Sequence, residues 1–189
     1  MIIKNILKTA CLFLGKENIV NVLNLEDYET ASDSEKSEVQ FLISCLNLVY
    51  EEVATDYIPL YVRENVSLDD NKILINSLSK KLLEVISIKD RNGYKVKYKN
   101  FPNHLEVDGV ASEILYRYQP DEISKIDDEI ECFSNKITEK VFAFGVAMEY
   151  CFIQGLYDDA QIWEKRFKDA LLVRASKKSN MKLPARRWI

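Results

Sequence analysis

Hydrophobic residues recur at helical spacing in the opening segment. Ile3, Ile6, Leu7, Ala10, Phe13 and Leu14 share one face, and Gly15 supplies a C-terminal stop. A short helical turn over 19–23 follows, then a polar connection over 26–34. Ser32 and Glu35 have the spacing of a capping box. Val39, Leu42, Ile43, Leu46, Val49, Tyr50 and Val53 then form the stripe of a long helix, expected to end near Asp56, ahead of Pro59.

The period changes to two over residues 58–120. Leu83, Val85 and Ser87 alternate with Glu84, Ile86 and Ile88, and 90–93 (Asp-Arg-Asn-Gly) reads as a turn. Tyr94, Val96 and Tyr98 alternate with Lys95, Lys97 and Lys99. Leu105 and Val107 lead into Asp108-Gly109, a second hairpin signal, and Ile114, Tyr116 and Tyr118 alternate before Pro120. Residues 58–62 and 73–75 are weaker strand candidates. An antiparallel meander is expected.

Helical spacing returns near Ser134. Ile137, Val141, Phe144, Met148, Cys151 and Phe152 make a stripe that Gly155 ends. Asp158 with Gln161 has the spacing to cap a last helix, which buries Ala160, Trp163, Phe167, Ala170 and Leu171. The short link at 155–157 forces these two helices into an antiparallel pair. The expected fold class is α+β: a mostly helical bundle from residues 1–57 and 121–175, a β-rich insertion over 58–120, and an extended basic arm over 176–189.

Composition adds limits. At 189 residues, 47% hydrophobic and 30% charged, the chain has the profile of one soluble domain. A domain of this size buries about 70% of its unfolded surface and needs no metal or disulfide to fold. Cys11, Cys45, Cys132 and Cys151 form no close pair and read as reduced thiols, three of them in apolar helices. Lys8 interrupts the apolar run around Thr9–Leu14, so no export signal is expected. The uncharged run 141–148 is too short to cross a bilayer, so no membrane partner is expected.

Chemistry is scarce. His104 is the single histidine and sits in a turn-rich stretch without a recognisable partner motif. No nucleophile elbow, zinc-binding helix motif or phosphate-binding loop occurs. The acidic run 121–131 lacks calcium-loop spacing and reads as a solvated surface, as does the pair Asp69-Asp70. Lys95, Lys97 and Lys99 read as the solvated face of a half-buried strand, with contact to nucleic acid or to an acidic neighbouring copy as the other options. No catalytic residue, cofactor or metal is expected.

Charge is distributed unevenly. Residues 170–189 carry six Lys/Arg and no acid, and the whole chain carries −4, so residues 1–169 carry −10. The arm ends in Arg186, Arg187, Trp188 and Ile189, residue types that anchor interfaces. Fully extended, 175–189 reaches on the order of 50 Å. Fixing about fifteen backbones costs roughly 15–30 kcal/mol. Burying Trp188 returns about 4–6 kcal/mol. The arm must therefore run along a groove with contacts throughout, or order only when a partner arrives.

Four passages together resemble the bacteriophage head-to-tail connector proteins, also called adaptor or head-completion proteins. They are Leu82-Leu-Glu-Val-Ile-Ser-Ile-Lys-Asp-Arg-Asn-Gly-Tyr-Lys-Val, Ile114-Leu-Tyr-Arg-Tyr-Gln-Pro120, the helical passage from Phe144-Gly-Val-Ala-Met-Glu-Tyr-Cys to Gly155-Leu-Tyr-Asp-Asp-Ala-Gln-Ile-Trp163, and Leu183-Pro-Ala-Arg-Arg-Trp188. The resemblance spans roughly 35–189. It implies a structural, non-enzymatic virion protein at the head–tail interface, made in the host bacterial cytoplasm. Copies would form a ring, twelvefold to match the portal, around the DNA channel. Its partners would be itself, the portal protein, tail or tail-tube proteins and the DNA passing through. Lys182, Leu183, Pro184, Arg186, Arg187, Trp188 and Ile189 would contact the portal. The competing expectations are a tail-terminator or tail-completion protein, and a small DNA-binding protein using the basic arm.

Overall fold

A computed structural model describes residues 1–25, 28–130 and 137–175, with the side chains of Glu29 and of 173–175 excepted. Among the described residues the helices are α1 (Ile3–Phe13), α2 (Glu17–Asn24), α3 (Asp33–Glu52), α4 (Glu139–Ile153) and α5 (Tyr157–Ala175). The strands are β1 (Tyr61–Asn65), β2 (Lys72–Leu74), β3 (Leu82–Lys89), β4 (Lys95–Val96), β5 (Tyr98–Asn100), β6 (His104–Val107) and β7 (Glu113–Tyr118). The α+β class is as the periodicity predicts.

The helix signals act as expected at most ends. Glu35 N–H donates to the Ser32 hydroxyl at 3.4 Å, and the Ser32 N–H donates to the Glu35 carboxylate at 3.0 Å. This reciprocal cap starts α3, whose predicted stripe is buried throughout. Past Glu52 the helix widens into one π turn over Val53–Tyr57, closed by Ile58 N–H to Val53 O at 2.8 Å. Gly15 and Gly155, at φ 66° and 74°, stop α1 and α4.

Two helical details differ from expectation. α4 is buried on nearly all sides, with Phe142, Ala143, Gly145, Val146 and Ala147 inside as well as Val141, Met148 and Cys151 of the predicted stripe. α1, α3 and α5 all pack on it, which makes it the central rod. Phe152, placed on the buried stripe by its spacing, is exposed, because the stripe runs out at the Gly155 turn. α5 begins at Tyr157, so Asp158 lies in its first turn, where a carboxylate favours the helix dipole.

Antiparallel contacts orient the bundle. Near the start of α3, Glu38 accepts a hydrogen bond from Tyr150 Oη at 2.9 Å, and near its end Tyr50 packs on Phe142. The Gly155 turn thus lies at the end where α3 begins. The strands lie at the end where α3 stops: Arg117 donates to Thr55 O, and Gln119 to Glu51.

The insertion is two small antiparallel sheets rather than one meander. One has the order β1-β7-β3-β4, the other β2-β6-β5. The lysine-rich segment 94–99 divides: 95–96 pair with β3, and 98–100 pair with β6. Alternation sets which face a residue takes and leaves open which strand it pairs with. For the same reason Asp108-Gly109 is a corner between sheets, not a hairpin. Asp108 N–H donates to Lys97 O, and Gly109 takes φ 124°.

β3 also departs from simple alternation. Its register against β7 slips twice, leaving Leu83 and Ile86 without partners and exposed. Leu82, Val85 and Ile88 therefore pair with Tyr118, Tyr116 and Ile114. Two bulges change a period-two strand into one that presents every third residue to the core.

Candidate interaction surfaces

The predicted arm residues Lys182, Leu183, Pro184, Arg186, Arg187, Trp188 and Ile189 lie outside the described residues. α5 carries the chain to Ala175, the root of that segment. Phe167 packs on Tyr57, beyond the end of α3, so α5 runs from the Gly155 turn toward the strands. Its 19 residues span about 28 Å. The root therefore lies on the strand side of the bundle. Cys132 and Glu131 are also outside the described residues.

The described cysteines and the histidine are packed or stacked within the fold. Burial pushes the Cys11 thiol up to about 11 and the Cys45 thiol up to about 12. Burial also raises Cys151. These three free thiols stay protonated at neutral pH and are poor nucleophiles. The His104 ring stacks on Phe101, centroids 4.8 Å apart and planes 7° from parallel. Among the described residues no three His, Cys, Asp or Glu side chains converge as a metal site.

The acidic run is tied to the fold. Asp128 accepts from the backbone N–H groups of Ser124 and Lys125, and Asp121 pairs with Lys80. Asn47 on α3 holds this run by a reciprocal pair: it accepts from Ile123 N–H at 2.9 Å and donates to Ile123 O at 3.0 Å. The run stands eight or more residues before α4, too far to act on that helix's dipole.

Two surfaces stand out at opposite ends of the molecule. At the Gly155 turn, Phe152, Ile153, Leu156 and Tyr157 are 44, 53, 49 and 60% exposed. Four large apolar side chains within six residues form an unusual surface patch. A hollow of about 570 Å³ adjoins it, lined by Lys16, Tyr150, Leu156, Asp159 and Trp163 among others. Its walls are firm. Lys16 pairs with Glu38 at 2.7 Å and lies over the Tyr150 ring, while Phe13 stacks on both Phe144 and Trp163. Sequence reasoning missed this patch because it sought the buried stripe. The signal was present: large apolar residues on both sides of a turn-forming glycine.

The other surface lies at the far end of the first sheet. β7 runs from Glu113, opposite Lys89, to Tyr118, whose N–H donates to Leu60 O beside the bundle. The turn 90–93 is therefore remote from the helices. Asp90 Oδ1 accepts from the N–H groups of Asn92 and Tyr94, and Gly93 takes φ 84°. Tyr94 and Val110 are 73 and 66% exposed. Arg91, Lys95, Lys97 and Lys99 are exposed and make no ion pair among the described residues.

Comparison of the sequence with protein-family models and with curated proteins finds no match to either. No described helix is long and apolar enough to cross a membrane.

Proposed function

We propose that this chain is a structural connector of a tailed bacteriophage virion, docking beneath the portal ring and joining head to tail. The observation that carries the reading is the two-ended architecture. A firm helical bundle separates an apolar surface at the Gly155 turn from the strand side, where α5 ends and the basic segment 176–189 begins. A protein whose work is to hold two bodies together needs a contact surface at each end and a stiff middle. The tight packing around α4 supplies that middle.

In this reading copies form a ring, twelvefold to match the portal, around the DNA path. The arm 176–189 departs from the strand side and contacts the portal through Lys182, Leu183, Pro184, Arg186, Arg187, Trp188 and Ile189. A ring eases the entropy cost of ordering the arm. Each arm binds while its body is already docked, at high effective concentration. The net charge of −10 over residues 1–169 suits a conduit that repels phosphate and lets DNA slide.

The test is binding of the full chain, and of the chain lacking 176–189, to purified portal ring, to tail-tube protein and to duplex DNA. The reading expects portal binding that the deletion abolishes and that moderate salt weakens little. Binding to tail-tube protein alone would assign the chain to tail completion. Arm-dependent DNA binding that falls steeply with salt would make it a DNA-binding protein.

A further inference from the structure

The pairing of β3 with β4 sets Lys89 directly opposite Lys95. Like charges facing across two strands are unfavourable. On its other side Lys89 faces Glu113, but Glu113 also pairs with Arg63 at 3.7 Å. One carboxylate thus stands between Lys89 and Arg63, and none in the sheet faces Lys95. Arg91, Lys95 and Lys97 extend the positive surface along the edge. Of the two acids lining the hollow at this end, Asp90 is occupied by its own turn, and the second is Asp108. Exposed Tyr94 and Val110 lie among the cations. A solvated edge needs lysines. It does not need a register that opposes them to each other, nor an aromatic ring left in water beside them.

The complementary surface is on the same chain. Between α3 and the segment leaving β7 is a hollow of about 370 Å³, with Glu51, Asp121 and Glu122 on its rim and half-exposed Leu48 in its wall. Glu51 accepts from Gln119 and Asp121 pairs with Lys80, so the rim carries three carboxylates against one cation. It cannot receive the basic edge of its own chain. The edge lies at the Glu113 end of β7 and the hollow beyond the Tyr118 end, about 20 Å away along six strand residues.

We infer that the basic edge formed by Arg91, Tyr94, Lys95 and Lys97 docks into the Glu51/Asp121/Glu122 hollow of a second copy. This rests on the reading that copies assemble into a ring, and it names the contact. Different surfaces meet at each junction, so the contact is heterologous and propagates from copy to copy until it closes. Tyr94 and Leu48 supply the apolar centre, and the charges set register and partner choice.

The experiment is sedimentation of the full chain over a range of protein and salt concentrations, alone and with portal ring. Wild-type chain is expected to associate, and salt to disperse it. Lys95→Glu/Lys97→Glu should weaken association about tenfold or more, and so should Glu51→Lys/Glu122→Lys. An equimolar mixture of the two variants should recover association, because each supplies the surface the other has lost. Unchanged thermal melting excludes misfolding. Association that persists in Lys95→Glu/Lys97→Glu, or a mixture that stays apart, overturns this contact and leaves the ring reading standing. A wild-type chain that never self-associates, with or without portal, removes both. Duplex DNA binding that needs Lys95 and Lys97 in a chain that does not self-associate overturns the contact in favour of nucleic acid.

Discussion

Gly145 on α4 lies so close to Val49 on α3 that a Cβ at residue 145 would sit 2.5 Å from Val49 Cγ1. The same added carbon would meet Phe167 of α5 at 3.1 Å. Three helices thus converge on a site with no room for a methyl. Gly145→Ala should destabilise the fold by about 1–3 kcal/mol through overpacking, despite the better helix propensity of alanine. Val49→Ala in the same chain should recover part of that loss. Urea unfolding of the two single variants and the double variant measures this coupling.

Asn47 is the second point where one side chain fixes a larger relationship. Its amide makes both hydrogen bonds to the backbone of Ile123 and so ties the segment after β7 to the middle of α3. Asn47→Ala leaves a half-buried N–H and C=O without partners and should cost about 1–3 kcal/mol. Asn47→Asp keeps the acceptor for Ile123 N–H and loses the donor, so its cost should be smaller. Amide exchange at Ile123 should accelerate more in the alanine variant.

The sequence foretold features in proportion to how local their causes are. The Ser32–Glu35 cap, the α3 stripe, the stop at Gly155 and the 90–93 turn depend on neighbours within a few residues, and each appears where its spacing put it. The division of 94–99 between two sheets depends on partners elsewhere in the chain, as do the bulges at Leu83 and Ile86, and a period-two pattern carries no word about those. Gly145 was visible as a glycine inside a helical pattern, but the crossing that requires it involves residues 96 positions apart in the chain. Of the candidate surfaces, the lysine strand was legible as a basic face. Its opposition to Lys89 was not, because register is a property of the pair.

The fold carries a latent acid-favouring element. Glu149 on α4 has its carboxyl pushed above the ordinary range by burial. Glu52 on α3 is raised by burial first and by the Glu149 charge second, with Lys168 opposing and Asp56 and Glu164 adding to it. A raised folded-state value means the protonated form is the one the fold prefers. The associated stability is full below the unfolded-state value of about 4.3 and is lost as pH rises through the folded-state values. Glu149→Gln should therefore stabilise the protein at pH 7, by about 0.5 kcal/mol after solvent screening of these half-exposed groups. The gain should disappear near pH 4. Urea midpoints of the variant and the wild-type chain at both pH values provide the check.

Tyr116 joins the sheet to its flanking segment through one hydroxyl. The ring is fully buried, and Oη donates to Glu64 Oε1 at 2.8 Å while accepting from Lys80 N–H at 3.2 Å. Glu64 in turn accepts from Ser79 N–H, so β1, β7 and the strand entry at 79–80 meet at this point. Tyr116→Phe keeps the packing and removes the hydroxyl, which leaves Lys80 N–H without that acceptor. The cost should be about 1–2 kcal/mol. Glu64→Gln retains an acceptor for Tyr116 but loses the charge, and should cost less. Because the two side chains act on one bond, the double variant should be milder than the sum of the singles by about 1 kcal/mol. Additive losses would mean that Glu64 contributes through Ser79 alone and that the tyrosine hydroxyl is held by the Lys80 backbone.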